Sequence, residues 1–447
     1  MTAAPTAPRV YFRTLGCAKN QVDSEVMLGQ LALAGCAIAE ELADADVAIV
    51  NTCSFIASAR EESVEAILEL ADEKERGSIR ALVVAGCLPQ RYGAELAKEL
   101  PEVDAFVGTG QFQNIAQILE DACAGRSRGV YVDAGRTHLY DEHSPRLLLG
   151  ARHSAYLKIA EGCDRVCAFC AIPAIRGRFQ SRTLESVVAE ARMLASQGVR
   201  ELNVISQDTL SYGKDLPVGA RPRIAELIRA LDEVESVDWV RFLYLYPSAL
   251  GDDVIDAFAG AKRVLRYLDV PLQHASDRLL RAMKRGVTAE RQRRLVEKLR
   301  ARLPGCVLRT TFIVGFPGET EADFAELCAF VREVGFDRVG VFRYSDEEGT
   351  AAAELGDKVP RSVSRRRHRE LMALQREIMR AKLATQIGET AQVLVDSPGR
   401  DRAVGRLWSQ APEVDGSVLL RGAAGAGELV RARVVGVRDV DLEAEQI

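Results

Sequence analysis

The chain has 447 residues, 47% of them hydrophobic and 28% charged. That is the balance of a folded globular protein rather than a disordered or fibrous one, and at about 150 residues per domain it predicts about three domains. Its 59 basic and 64 acidic side chains leave a formal net charge of −5, too mild to demand a nucleic-acid partner. No run approaches the roughly 18 uninterrupted apolar residues of a spanning helix. Met1 to Arg9 is an Ala/Pro/Thr-rich tail with neither a basic n-region nor an apolar h-region. A membrane partner is therefore not expected, and a cytoplasmic location is.

Three short apolar runs open the chain, Val10 to Gly16, Asp46 to Thr52 and Ala81 to Gly86, with helical patterns at Val22 to Ala34 and Ser54 to Arg76 between them. Each run ends at a cysteine: Cys17, Cys53 and Cys87. Strands joined by right-handed helical crossovers form a parallel sheet whose carboxyl ends share one edge. Three thiols remote in sequence are thus expected to meet there, as a cluster site rather than as three separate core cysteines. Asp104 to Thr109 offers a fourth strand and Phe112 to Cys123 a further helix. Gly135 to Ser154 lacks periodicity and reads as a linker, its His138, His143 and His153 not being assigned as ligands.

A second alternation begins at Ala155. Strands are predicted at Ala155 to Ile159, Glu201 to Ser206, Trp239 to Tyr244, Tyr267 to Pro271, Val307 to Val314 and Arg338 to Tyr344, with helical runs between them. Six strand–helix units make an open, partial version of the parallel barrel, a fold whose chemistry sits at the carboxyl ends of the strands. The loop after the first strand carries Cys163, Cys167 and Cys170 as C-x3-C-x2-C. A structural zinc or a ferredoxin cluster would want a fourth nearby ligand, and none is visible. Three thiolates on a four-iron cluster leave one iron open to a chelating molecule. Other strand ends, Gln207-Asp208, Gln273-His274 and Gly315 to Gly318, become candidate pocket residues. Cys36, Cys123, Cys306 and Cys328 read as fillers.

Arg361 to Gln386 holds eight basic and two acidic residues with Leu371, Leu374 and Ile378 at helical spacing, predicting an amphipathic connecting helix with a solvated basic face. From Gly388 the pattern becomes short strands between Gly, Pro and Asp turns, a small all-β barrel. It carries seven basic and ten acidic side chains. Such a surface is a poor RNA platform, since phosphate binding rests on positive charge, and it suits a basic protein better.

These residues together resemble the radical-SAM methylthiotransferases over nearly the whole chain. The resemblance implies an α/β protein with an N-terminal parallel α/β three-cysteine domain at 9–140, a partial (βα)6 radical-SAM barrel at 150–360, a basic connecting helix at 361–387 and a TRAM barrel at 388–447. It implies two 4Fe-4S clusters, one on Cys163, Cys167 and Cys170 and an auxiliary one on Cys17, Cys53 and Cys87, with S-adenosyl-L-methionine at the open iron of the first. The first cluster would generate a 5′-deoxyadenosyl radical; the second would hold and deliver the sulfur. Phe169, Gln207, Gln273 and the Gly315 backbone are the implied contacts to S-adenosylmethionine. One branch of the family modifies a tRNA adenosine and another the β-carbon of an aspartate in small-subunit ribosomal protein twelve. Gly16-Cys17-Ala18-Lys19-Asn20, Cys170-Ala171-Ile172-Pro173 and Gln207-Asp208-Thr209 resemble the ribosomal-protein branch. The expected partners are that protein or the subunit carrying it, an electron donor and a sulfur source; tRNA is the alternative.

Overall fold

The computed structural model describes residues 8–126, 128–133, 138–219 and 223–447. The first unit runs β1 (Arg9–Thr14), α1 (Ala18–Leu33), β2 (Ala37–Ala39), β3 (Val47–Thr52), α2 (Ala57–Glu75), β4 (Ala81–Gly86), α3 (Cys87–Glu99), β5 (Ala105–Val107), α4 (Ile115–Cys123) and β6 (Gly129–Tyr131). Its six strands form one parallel sheet in the order β2-β1-β3-β4-β5-β6. Side chains alternate across a strand, so Val47 and Ile49 join one core with α1 and α4, while Ala48 and Val50 join another with α2. Both faces being covered explains why β3 and β4 read as continuous apolar runs. The short edge strands β2 and β6 were not predicted, having only three residues each. Residues 135–137 of the expected linker lie outside the described residues. Beyond them, His153 is buried and bonded to Asp396 of the C-terminal barrel at 2.9 Å.

The second unit contains β7 (Ser154–Lys158), the two-residue strands β8 (Ala160–Glu161) and β9 (Gln180–Ser181), and, between these, α5 (Ile172–Arg176). It continues α6 (Leu184–Ser196), β10 (Glu201–Ile205), α7 (Ile224–Asp232), β11 (Trp239–Phe242), α8 (Asp252–Gly260), β12 (Val264–Asp269), α9 (Asp277–Ala282), α10 (Ala289–Arg302), β13 (Val307–Val314), α11 (Glu321–Val334) and β14 (Arg338–Arg343). All six expected barrel strands form, as an open parallel sheet ordered β14-β13-β12-β11-β10-β7. Local chemistry sets the helix ends. Thr183, Thr288 and Thr320 each accept a backbone N–H of the first turn, and Gly335 ends α11 in the left-handed region at φ 55.

Helix α12 (Arg361–Ala384) leads into β15 (Thr390–Ser397), β16 (Arg402–Arg406), β17 (Val418–Arg421), β18 (Leu429–Arg438) and β19 (Asp441–Gln446), a closed barrel ordered β15-β16-β17-β19-β18. Strand β19 escaped the sequence reading because its outward positions are acidic; only Leu442 and Ala444 face the core. The basic face of α12 is not simply solvated. Arg367 is buried against Glu319 at 2.8 Å, Lys382 pairs with Asp337 at 2.7 Å and Arg380 with Asp439 at 2.5 Å. The sequence could not show the carboxylates that the barrels present to it.

The three units share interior. One apolar cluster joins Val22 and Met27 of α1, Tyr156, Trp239 and Tyr267 of the open sheet, and Leu394 and Ala411 of the C-terminal barrel. Buried ions lock the same junction. Glu201 receives Arg241 at 3.1 Å and Arg406 at 2.7 Å, and Arg146 spans Glu25 and Glu190, both at 2.6 Å. Helix α1 approaches the connecting segment so closely that a Cβ on Gly29 would lie 2.4 Å from the Pro145 carbonyl. Helix propensity alone favours Gly29→Ala by about 1 kcal/mol, whereas overpacking against backbone costs about 1–3 kcal/mol. The expected result is net destabilisation with a lowered urea midpoint; an unchanged or raised midpoint would show that the interface yields.

Candidate functional site

Cys163, Cys167 and Cys170 stand in the loop that leaves β8, above the open sheet. The loop is pinned by backbone bonds, Cys163 N–H to the Gly177 carbonyl at 3.1 Å and Ala168 N–H to that of Met283 at 3.0 Å. All three cysteines line one cavity of about 400 Å³, together with Arg165, Pro173, Gly177 and Thr350. Burial pushes the Cys163 thiol up to about 11 and that of Cys170 to about 12, so the apo thiols are protonated near neutrality and a metal centre would have to displace their protons. Two cations stand ready beside them. Arg285 Nη1 donates to Cys167 Sγ at 3.3 Å, and Arg165 pairs with Asp208 at 2.6 Å. The Tyr246 ring lies between both guanidiniums, 3.9 Å from Arg165 and 4.2 Å from Arg285. Arg285 and Tyr246 escaped the sequence reading because nothing in their local sequence marks them.

The second trio meets as the strand order requires. Cys53 follows β3; Cys17 caps α1 and Cys87 opens α3, so two of the thiols sit at helix N-termini, where the dipole favours thiolate. Glycine makes the approach possible. Gly16 has φ +95, and a Cβ there would come within 2.8 Å of Cys53 Cβ; Gly86 has φ +105, and a Cβ would meet Asn51 Oδ1 at 2.3 Å. The thiols are close enough to oppose one another's ionisation. Burial first, and then Cys17, raises Cys53 to about 11, while burial raises Cys87 to about 12. Asn20 ties the edge together, donating to the Leu15 and Thr52 carbonyls at 3.0 and 2.9 Å.

Among the described residues no three His, Cys, Asp or Glu side chains converge as ligands of a single metal ion. The Cys163, Cys167 and Cys170 trio lines a cavity of about 400 Å³, which suits a polynuclear iron–sulfur centre better than one tetrahedral ion. Buried polar atoms without partners near the first cavity, Gln207 Oε1, Asp208 Oδ1 and Arg285 Nε, are what a site built around a further polar group presents.

Beside the trios, where Cys87 packs on Ala171 next to Cys170, lies a wall of buried charge. Lys158 Nζ contacts Asp23 at 2.6 Å and Glu161 at 2.8 Å; Arg176 Nη1 contacts the same two carboxylates at 2.7 and 3.2 Å. Arg176 Nη2 also donates to Asn20 Oδ1 at 2.6 Å. Burial works against the Glu161 carboxylate, but Lys158 and Arg176 prevail and hold it at about 2. Lys19 is buried too, and desolvation lowers it to about 8 against the pull of Cys17 and Asp269.

The expected S-adenosylmethionine contacts fall into two groups. Gln207 donates to Glu161 Oε1 at 2.7 Å, which aims its unpartnered Oε1 elsewhere. Gln273 holds φ +74, a sparsely populated conformation for a side-chain residue, at a bridge to β13. Phe169 is half-buried on a small apolar cluster with Phe316 and Tyr344. Gly315 has a structural explanation: its N–H is taken by Glu319, and a Cβ would meet Ser364 Cβ at 2.5 Å. His274 is likewise satisfied, by Glu319 at 3.2 Å and Ser276 N–H at 3.0 Å.

Residues 9–108 match an uncharacterized protein family, UPF0004, residues 157–331 the radical SAM superfamily, and residues 387–447 the TRAM domain. The chain is 50% identical over 440 residues to a protein of Anaeromyxobacter sp. (strain K) named ribosomal protein uS12 methylthiotransferase RimO, covering 98% of this chain and 92% of that one. A protein of the same name from Myxococcus xanthus (strain DK1622) is 47% identical, with 99% and 92% covered. The radical S-adenosylmethionine methyltransferase TsrM of Kitasatospora setae superposes with a TM-score of 0.56 at 17% identity, over 74% of this chain and 72% of that one. The cobalamin-dependent S-adenosylmethionine radical enzyme OxsB gives 0.51 at 11% identity, over 83% and 56%. At these identities the structural likeness is of fold.

Arg176 bridges two carboxylates and Asn20 with one planar fork, which a single ammonium does not reproduce. Arg176→Met should cost about 3–5 kcal/mol in denaturant unfolding, because it leaves Asp23 and Glu161 to share Lys158. Arg176→Lys should recover only part of that loss; full recovery would show that charge alone matters.

Proposed function

The chain belongs to the RimO family of ribosomal protein uS12 methylthiotransferases, and from that premise we propose how its residues divide the work. It is a radical-SAM enzyme that uses S-adenosylmethionine and a 4Fe-4S cluster to transfer a methylthio group to the β-carbon of an aspartate in uS12. Cys163, Cys167 and Cys170 are the proposed ligands of that cluster, and Cys17, Cys53 and Cys87 those of an auxiliary cluster. When bound, these groups supply the one-electron and sulfur chemistry that no ionisable side chain offers an unactivated C–H bond. The protein's own residues position and shield. Arg285 and Arg165 offset the negative charge of the thiolates. Glu161, fixed by Lys158 and Arg176, orients Gln207 toward S-adenosylmethionine, with Phe169 and Gln273 as further contacts. The observation that carries this division is two separate thiol trios, one lining the cavity above the open sheet and one at the edge of the N-terminal sheet, beside one buried charge wall.

The C-terminal barrel's excess of acidic side chains supports a basic protein as partner rather than tRNA. The chemistry requires an electron donor and a source of sulfur as further partners. Mass spectrometry of uS12 and of tRNA nucleosides from matched cells with and without the gene tests the substrate. Loss of the methylthio group from the uS12 aspartate with unchanged tRNA is expected; loss from tRNA alone would overturn it.

Two variants test the division of labour. Cys167→Ala should abolish reductive cleavage of S-adenosylmethionine and lower the iron content of the reconstituted chain from roughly eight to roughly four atoms. Cys53→Ala should lower iron by the same amount and abolish methylthio transfer while cleavage of S-adenosylmethionine persists. Retained transfer in Cys53→Ala would remove the auxiliary role.

A further inference from the structure

Among the described residues no carboxylate is in ion-pair contact with the buried cation Lys19. It is 6% exposed, and it stands two residues beyond Cys17 on the first turn of α1. Its Nζ lies 3.0 Å from the centroid of the Tyr244 ring, and it makes no hydrogen bond or ion pair with any described residue. Besides the Cys17 thiol, the acidic groups that face it are the carboxylates of Asp269 and Glu161, and both are committed elsewhere. Asp269 receives Arg309 at 2.8 Å on one oxygen and the Tyr244 N–H at 3.0 Å on the other. Glu161 is saturated by Lys158, Arg176, Gln207 and the Gly162 N–H. A buried ammonium is expensive unless paired and hydrogen-bonded; Lys158, Arg176, Arg146 and Arg241 are ion-paired, and Arg285 donates to Cys167 Sγ and the Pro271 carbonyl.

The ring beneath Lys19 is itself held in an unusual way. Tyr244 adopts φ +61 at the carboxyl end of β11, a left-handed conformation that is costly for a bulky residue and that clusters at ligand sites. The Asp269 carboxylate fixes it there through the Tyr244 N–H. A cation–π contact on one side of Nζ leaves its remaining donors to an incoming acceptor. That acceptor would sit beside Cys17, on the barrel side of the trio of Cys17, Cys53 and Cys87.

We propose that Lys19, seated on Tyr244, is the anchor for the side-chain carboxylate of the substrate aspartate, and so sets which carbon is presented to the cysteine sites. The inference rests on the reading of the chain as an aspartate methylthiotransferase and adds a specificity residue to it. A carboxylate supplies the charge that Lys19 lacks, while an uncharged amide of the same shape does not.

The experiment uses the full reconstituted chain with uS12 carrying Asp or Asn at the modified position, measuring binding by fluorescence anisotropy and iron by colorimetric assay. The wild-type enzyme should bind the Asp form roughly 10- to 100-fold more tightly than the Asn form, the value of one charge-assisted pair. Lys19→Gln should bring the two forms to within a few-fold of one another with iron content unchanged, and Lys19→Arg should restore part of the preference. Persistence of the wild-type preference in Lys19→Gln overturns the proposal, as does loss of iron with the preference intact, which would place Lys19 in the service of Cys17. If Lys19→Gln does not fold, the wild-type enzyme's indifference to Asp or Asn overturns the proposal by itself. A wild-type enzyme that modifies tRNA and ignores uS12 would instead overturn the substrate assignment, a result distinguishable from failure of Lys19 alone.

Discussion

Two cations and two carboxylates sealed from water hold this molecule's working parts in register. Lys158 and Arg176 come from the open barrel and Asp23 from the first helix of the N-terminal unit, with Glu161 completing the set. In a low-dielectric interior each of these ions is costly alone and tolerable only with its partners in place. The N-terminal unit therefore has one docking position on the barrel. Because Asn20 is bonded to Arg176 and also supports the Cys17 and Cys53 strand ends, the charge wall also fixes where the first thiol trio lies relative to the second.

The same device recurs where the C-terminal barrel meets the open sheet. Glu201 is fully buried between Arg241 and Arg406, and Arg406 reaches on to Asp396, which His153 also contacts. A partial barrel leaves one side open, and a row of inward-facing polar side chains along it would be unsatisfied. Here the two flanking units close that side and carry the matching charges. Ion pairs give less net stability than apolar packing of the same volume, but they penalise every misaligned docking, and alignment is what the two clusters proposed for one active centre would require.

The cysteines were the most legible feature. C-x3-C-x2-C within ten residues is a local pattern, and three strands each ending at a cysteine is a topological one that holds as soon as the sheet is parallel. The barrel strands were legible for a similar reason: apolar runs covered on both faces stand out, and all six formed. The three-residue strands at the edges of the first sheet left too short a signal, and Asp441–Gln446 was hidden by its acidic outer face. The basic helix was placed correctly in sequence and misread in surroundings, since its partners Glu319, Asp337 and Asp439 come from elements remote in the chain.

Sequence by itself determined the order of the three units, the two thiol trios and the strand ends around them, because these depend on periodicity and on short-range spacing. Tertiary structure decided the rest. Arg285 beside Cys167, Tyr246 between two guanidiniums, Gly315 packed under Ser364 and Lys19 seated on the Tyr244 ring are products of close approach between segments tens to hundreds of residues apart. Whether a charge is paired depends on what arrives opposite it, and no pattern along one strand or helix contains that information.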